Sequence, residues 1–207
     1  MQQKKQQSNK GFTLVEVMIA TAIFVVIMVM GIGAVLAANS SHKETQSLHT
    51  IVDNLSFAME DMSRNLRLGY SYHCQYESLP VPIEEPLDCA LGEGALSLAF
   101  EKQGGDSENP LDQVVYRINS SDIKNVYIDK STDSGNTFYP ITPNILGDAS
   151  MEIDPIHSGF VVLGADPEDK IQPMVAIRLK GSISIRGTVT PFNLETVVSQ
   201  RAIDSGI

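Results

Sequence analysis

The residues of this chain whose types suit catalysis or ligand binding are four histidines, two cysteines and a few short polar runs. His42, His49, His73 and His157 share no metal-binding spacing, and the patterns G-x-S-x-G, H-E-x-x-H and the phosphate loop are absent. Asp129-Lys130-Ser131-Thr132-Asp133-Ser134-Gly135-Asn136 places oxygen atoms on alternate residues as a calcium loop would. Its glycine falls one place late for an EF-hand, and the run reads as a hairpin turn. Asp166-Pro167-Glu168-Asp169 reads as a solvated acidic loop, and Gly105-Asp106-Ser107 as a polar turn with no identifiable catalytic partner. No metal, cofactor or enzymatic activity is therefore expected. Cys74 and Cys89 are too few for a disulfide scaffold or a four-ligand zinc site. Outside the cytoplasm they would pair, closing a loop of about 16 residues and contributing roughly 3 kcal/mol, with two free thiols as the alternative.

Glu16 is a different case, because its carboxylate stands beside an apolar run that would otherwise be uncharged. Val17 to Ala38 carries no formal charge. At about 1.5 Å per residue this makes roughly 33 Å of helix, enough to cross a bilayer core. Lys4, Lys5 and Lys10 precede it with no acid among them, which by the positive-inside rule keeps the N-terminus cytoplasmic and sends the long polar remainder across. A carboxylate at the edge of such a span needs a partner or must snorkel to the headgroups. Leu36-Ala37-Ala38-Asn39 offers an ordinary signal-peptidase reading.

The elements downstream follow from periodicity. Leu48, Ile51, Val52, Leu55, Met59, Met62 and Leu66 recur in steps of three and four, so the helix continues beyond the span as an amphipathic element, with Gly69 as its C-cap. A helix from about Thr13 to Leu68 would measure roughly 84 Å. Arg64 and Arg67 suit its negative end. Alternating segments then predict strands at Ala95 to Phe100, Gln113 to Ile118, Asn125 to Ile128, Ser158 to Leu163, Met174 to Lys180, Ile183 to Thr188 and Phe192 to Val198. Lys180-Gly181-Ser182 reads as a hairpin-like break between two of them. The expected fold is α+β, with one long N-terminal helix, membrane-spanning in its first half, packed on an antiparallel sheet.

Lys10-Gly11-Phe12-Thr13-Leu14-Val15-Glu16, continued by Val17-Met18-Ile19-Ala20-Thr21-Ala22-Ile23-Phe24, resembles the class III signal of type IV prepilins and type II secretion pseudopilins. The resemblance implies cleavage between Gly11 and Phe12 by a prepilin peptidase and N-methylation of Phe12 by the same enzyme, with the apolar helix retained. It also supplies Glu16 with a partner, the Phe12 amino group of a neighbouring subunit, cationic at neutral pH. Gly31 and Gly33 then mark a bend or a close approach of helices. No proline precedes Pro80, unlike the kinked helix of many major pilins. Phe57 to Arg67, Val115-Tyr116-Arg117-Ile118 and Glu195 to Arg201 resemble J-type minor pseudopilins and similar minor pilins.

These resemblances imply a cleaved leader (1–11), a transmembrane and filament-core helix (12–38), an amphipathic continuation (39–69) and a soluble β-rich head (70–207). The expected function is that of a structural minor pseudopilin. A minor type IV pilin acting in pilus initiation, adhesion or DNA uptake is the alternative, and a monomeric membrane-anchored binding protein is the alternative of another class. Expected partners are other pilin or pseudopilin subunits, the prepilin peptidase and an inner-membrane assembly platform. Expected localisation is the bacterial inner membrane, with the head extracytoplasmic, and then a filament in the periplasm or at the cell surface. Removing the leader lysines from 15 basic residues leaves about 12 against 25 acids, a formal charge of about −13 that disfavours nucleic acid.

Overall fold

A computed structural model describes residues 11–75, 85–89, 95–106, 109, 111–122, 126–142, 145–146, 149–166, 168 and 170–201. One helix, α1 (Leu14–Leu68), opens the chain. The chain divides into two units, Met1–Thr45 and Gln46–Ile207. In the first, every described residue up to Lys43 is exposed, including Ile23, Phe24, Ile27 and Met30 on different sides of the helix. Each such side chain left in water forgoes about 1.5–3 kcal/mol of burial. The helix is long and apolar enough to cross a membrane.

In the second unit α1 becomes one-sided. Ile51, Leu55, Ala58, Met62 and Leu66 are buried, spaced in threes and fours along one face. Leu48 and Met59 flank the core, whereas Val52, expected in the stripe, is 42 % exposed because it lies one residue past Ile51 and points off that face. The helix ends at Leu68 and Gly69 follows it as expected, its N–H donating to the Leu66 carbonyl at 3.3 Å without a positive φ. Its backbone approaches Phe100 so closely that a Cβ there would lie 2.4 Å from the ring. The Tyr72 hydroxyl donates to the carbonyls of Leu66 and Gly69, satisfying end groups that a helix cannot bond internally.

Two antiparallel sheets follow where one was expected. The first orders β1 (Tyr70–Gln75), β2 (Ser97–Glu101), β3 (Val114–Asn119), β4 (Tyr127–Ser131) and β5 (Tyr139–Pro140) in sequence. The second orders β10 (Thr188–Ser199), β9 (Met174–Ile185), β7 (Ala149–Ile153) and β6 (Ile145–Leu146), with β8 (Gly159–Leu163) also paired to β9. Leu98, Phe100, Tyr116, Ile118 and Ile128 from the first sheet join Ile153, Phe160, Val162, Ile177, Leu179 and Ile183 from the second in one core with the buried stripe of α1. The α+β arrangement of a helix on antiparallel sheets is thus the one expected.

The segment between β1 and β2 ties the sheets together. Residues 87 and 89 reach β1 on one side and β8 on the other: Leu87 N–H donates to the Tyr72 carbonyl at 3.0 Å, and Cys89 N–H to the Val162 carbonyl at 3.1 Å. Ala95 and Phe160 exchange both backbone hydrogen bonds, at 2.8 and 2.9 Å. The Asp88 carboxylate accepts from the N–H groups of Gly164 and Ala165.

The expected break at Lys180-Gly181-Ser182 does not occur. β9 runs through it, and the chain reverses at Arg186-Gly187, whose φ values of 49° and 90° are those of a two-residue type I′ hairpin turn. Gly181 answers a different demand. β7 and β8 pair with successive parts of β9, and the 154–158 connection crosses at this point, with Asp154 N–H donating to the Lys180 carbonyl at 2.8 Å. A Cβ at Gly181 would lie 2.1 Å from the Glu152 carbonyl oxygen and 2.8 Å from Phe192. Gly181→Ala is therefore expected to cost about 1–3 kcal/mol. Chemical unfolding of the variant checks this, and an unchanged midpoint would show that the close approach is not needed.

Candidate functional site

Gly11, Phe12 and Thr13 lie just ahead of α1. The Thr13 hydroxyl oxygen accepts a hydrogen bond from the Glu16 N–H at 3.2 Å, and the Thr13 carbonyl accepts from the Val17 N–H at 3.2 Å. Thr13 is thus the N-cap and Glu16 the third helical residue, the spacing of a capping box, with the Glu16 charge at the positive end of the helix dipole. Sequence reading missed the cap, although T-x-x-E before an apolar run is its signature.

Glu16 has no side-chain hydrogen bond or ion pair among the described residues, and Phe12 is 83 % exposed. Gly11, Gly31 and Gly33 have nothing within 4 Å of a Cβ position. Unlike Gly69 and Gly181, these glycines are not required by the chain's own packing.

The head holds the other residues singled out by sequence, and does not bring them together. His73 Nδ1 lies 2.8 Å from the Glu85 carbonyl, and His157 pairs with Asp154 at 2.6 Å. His42 and His49 stand exposed on α1. In the turn between β4 and β5, Asp133 accepts from the Ser131 hydroxyl at 2.6 Å and the Thr137 N–H at 2.8 Å, so its carboxylate is spent on the turn itself. Ser107, Pro167 and Asp169 lie outside the described residues. Among the described residues no three His, Cys, Asp or Glu side chains gather as a metal site. Cys74 and Cys89 are joined by a disulfide with Cα atoms 5.6 Å apart, between β1 and the edge of β8.

A cluster that sequence reading did not identify lies where α1 meets the first sheet. Asp61 accepts from the Tyr116 hydroxyl at 2.9 Å and the Lys130 ammonium at 2.8 Å, and Asn65 donates to both Asp61 and the Tyr116 oxygen. Burial pushes the Asp61 carboxyl up, but the bonds from Lys130, Tyr116 and Asn65 outweigh it and hold the group below the usual carboxylate range. Burial, then the Asp61 charge, pushes the Tyr116 hydroxyl up. Both groups stay in their ordinary ionisation states at neutral pH, which suits a clasp rather than an acid–base pair.

Comparison with known proteins bears on the N-terminal segment. Residues 6–32 match the family model of the prokaryotic N-terminal methylation motif. The chain therefore carries a prepilin-type class III signal, followed by an apolar helix suited to membrane anchoring. That motif supports a type IV pilin or pseudopilin-like protein. No curated protein and no solved structure compared with the chain matches it.

The clasp makes stability pH-dependent with a defined sign. The folded Asp61 pKa lies below the unfolded value of about 3.9, so its contribution is full above about pH 5 and is lost as pH falls toward the folded pKa. Asp61→Asn is expected to lower stability by about 1–2 kcal/mol at neutral pH and to flatten the acid decline. Unfolding curves recorded at neutral and acid pH check both effects.

Proposed function

We propose that this chain is a minor pseudopilin of a type II secretion-like filament. It would be cut between Gly11 and Phe12, N-methylated on Phe12, and assembled through its N-terminal helix. The observation that carries the reading is the match of residues 6–32 to the N-terminal methylation motif. Gly11 and Phe12 add to it. The first is a glycine that the chain's own packing does not require, and the second is an exposed aromatic at the new terminus, as recognition by an outside enzyme demands.

Glu16 would pair with the Phe12 amino group of the adjacent subunit and set axial register, which its lack of a partner among the described residues supports. Residues 12–38 would form the span and filament core, and residues 39–69 the outer continuation. Residues 70–207 would form an extracytoplasmic head in which the Cys74–Cys89 bridge persists. The partners are other pseudopilins and the assembly platform. The resemblance of the head to J-type minor pseudopilins favours secretion over a type IV pilus.

Mass spectrometry of the chain from cells with an active prepilin peptidase tests the processing. A methylated N-terminus at Phe12 is expected, together with an uncut but membrane-inserted Gly11→Val variant; retention of the leader in the unmutated chain would overturn the reading. Crosslinking between position 12 of one subunit and position 16 of another tests assembly. Co-purification with secretion pseudopilins rather than retractable pili separates the two filament classes, and a chain that makes neither contact is an anchored monomer.

A further inference from the structure

β10 ends the second sheet, and no strand lies on its far side among the described residues. Its ladder with β9 runs from Thr188 opposite Ile185 to Ser199 opposite Met174 without a bulge, so the free edge is long and regular. The direction of its main-chain groups follows from the neighbouring strand. Lys180 gives its N–H to the Ser158 hydroxyl at 2.9 Å, and its carbonyl accepts from the Asp154 N–H at 2.8 Å, so both groups turn away from β10. Just past the ladder, Gln200 N–H donates to the Pro173 carbonyl at 3.0 Å. Even-numbered residues of β10 therefore bond β9, and the odd-numbered ones from Val189 to Ser199 point their N–H and carbonyl groups outward. Pro191 stands at an outward position, where a missing N–H costs the ladder nothing but closes that end of the edge. The N–H groups of Asn193, Glu195, Val197 and Ser199 have no partner among the described residues.

The two faces beside this edge differ. Phe192 and Leu194 pack half-buried against the core, so the inner side of an added strand would continue an apolar layer. On the outer face Arg178 lies opposite Glu195 and Lys180 opposite Asn193, and all four line a cavity of about 340 Å³. Glu195 meets Arg178 at 3.3 Å, whereas the Lys180 ammonium has no carboxylate partner among the described residues. A strand added to β10 would run two strand spacings from Lys180, roughly 10 Å, a gap that a lysine and an acidic side chain close together.

We propose that the edge from Asn193 to Ser199 takes up an extended segment of another protein as an added strand. Main-chain hydrogen bonds supply the affinity and alternate side chains the selectivity. The segment is apolar on the side of Phe192 and Leu194 and acidic on the side of Lys180. A sheet edge of this length is ordinarily blunted by a lysine, a proline or a bulge, and between Asn193 and Ser199 β10 carries none of these.

The test uses the full chain in detergent. The probe is a fluorescein-labelled heptapeptide of valines alternating with threonines, its central threonine replaced by glutamate. A saturable rise in anisotropy is expected, with the amides of Asn193, Glu195, Val197 and Ser199 becoming protected from hydrogen exchange and those of Leu194 and Thr196 protected throughout. Val197→Pro should abolish binding, because it removes an outward donor and leaves the bonds to β9 in place, as Pro191 does. If that variant fails to fold, the same peptide N-methylated on the residues facing β10 decides the matter, and it should not bind. Lysine in place of the peptide's glutamate should weaken binding about two- to fivefold, the worth of an exposed ion pair, and Lys180→Glu should reverse the preference. The proposal is overturned if the acidic peptide does not bind, if the N-methylated peptide or a folded Val197→Pro variant binds equally well, or if the lysine peptide binds as tightly. Dimerisation of the full chain without peptide, abolished by Val197→Pro, would also overturn it by making a second copy the occupant.

Discussion

Along α1 the distribution of apolar side chains changes character near residue 45, and the rest of the molecule follows from that change. Before it, apolar groups surround the helix, and no single face could be buried against one partner of the same chain. After it, a stripe of five residues is buried and the remaining faces are mostly polar, with Val52 and Phe57 as exposed apolar exceptions. One continuous backbone thus meets two environments. The hydrogen bonds of a helix are satisfied internally, which is what allows the same element to continue from one environment to the other without a break.

That continuity sets the requirements of the head. Its two sheets share a core with the stripe, and side-chain polar contact between the first sheet and α1 is made at Asp61, where Tyr116 and Lys130 meet Asn65 of the helix. Apolar burial is non-directional and would tolerate sliding along the helix. The Asp61 cluster does not, because it has directed donors on β3 and β4. The end of α1 is fixed similarly by Tyr72 on its terminal carbonyls and by the close approach of Gly69 to Phe100.

The helix and the longer strands were legible in the sequence because periodicity reports burial directly. β1 was overlooked although Tyr70, Tyr72 and Cys74 alternate. Ser71 takes a positive φ, and the ladder shifts register between Tyr70 and His73, so the strand is short and irregular. Gly181 was misread as a break because a glycine that relieves crowding and one that enables a turn look identical in sequence. Only the crossing of the 154–158 connection against β9 distinguishes them. The N-terminal site was legible because its residues are contiguous. Asp61, Tyr116 and Lys130 were not, since their proximity depends on packing between distant segments.

The two ends of the head are closed by different means. The β9–β10 hairpin brings twelve residue pairs together across a two-residue turn, and the loop-closure entropy it must overcome is close to the minimum for a polypeptide. β1 and β2 meet only after a connection that begins at Gln75 and ends at Ser97, and the second sheet contributes β8 to the same junction. A covalent link from Cys74 to Cys89 shortens that search in the unfolded chain. Turn chemistry acts in any compartment, whereas a disulfide forms only where an oxidant is present. The order in which the head is consolidated is thereby tied to its surroundings: the hairpin can zip under any redox condition, whereas the junction is sealed only where an oxidant is present.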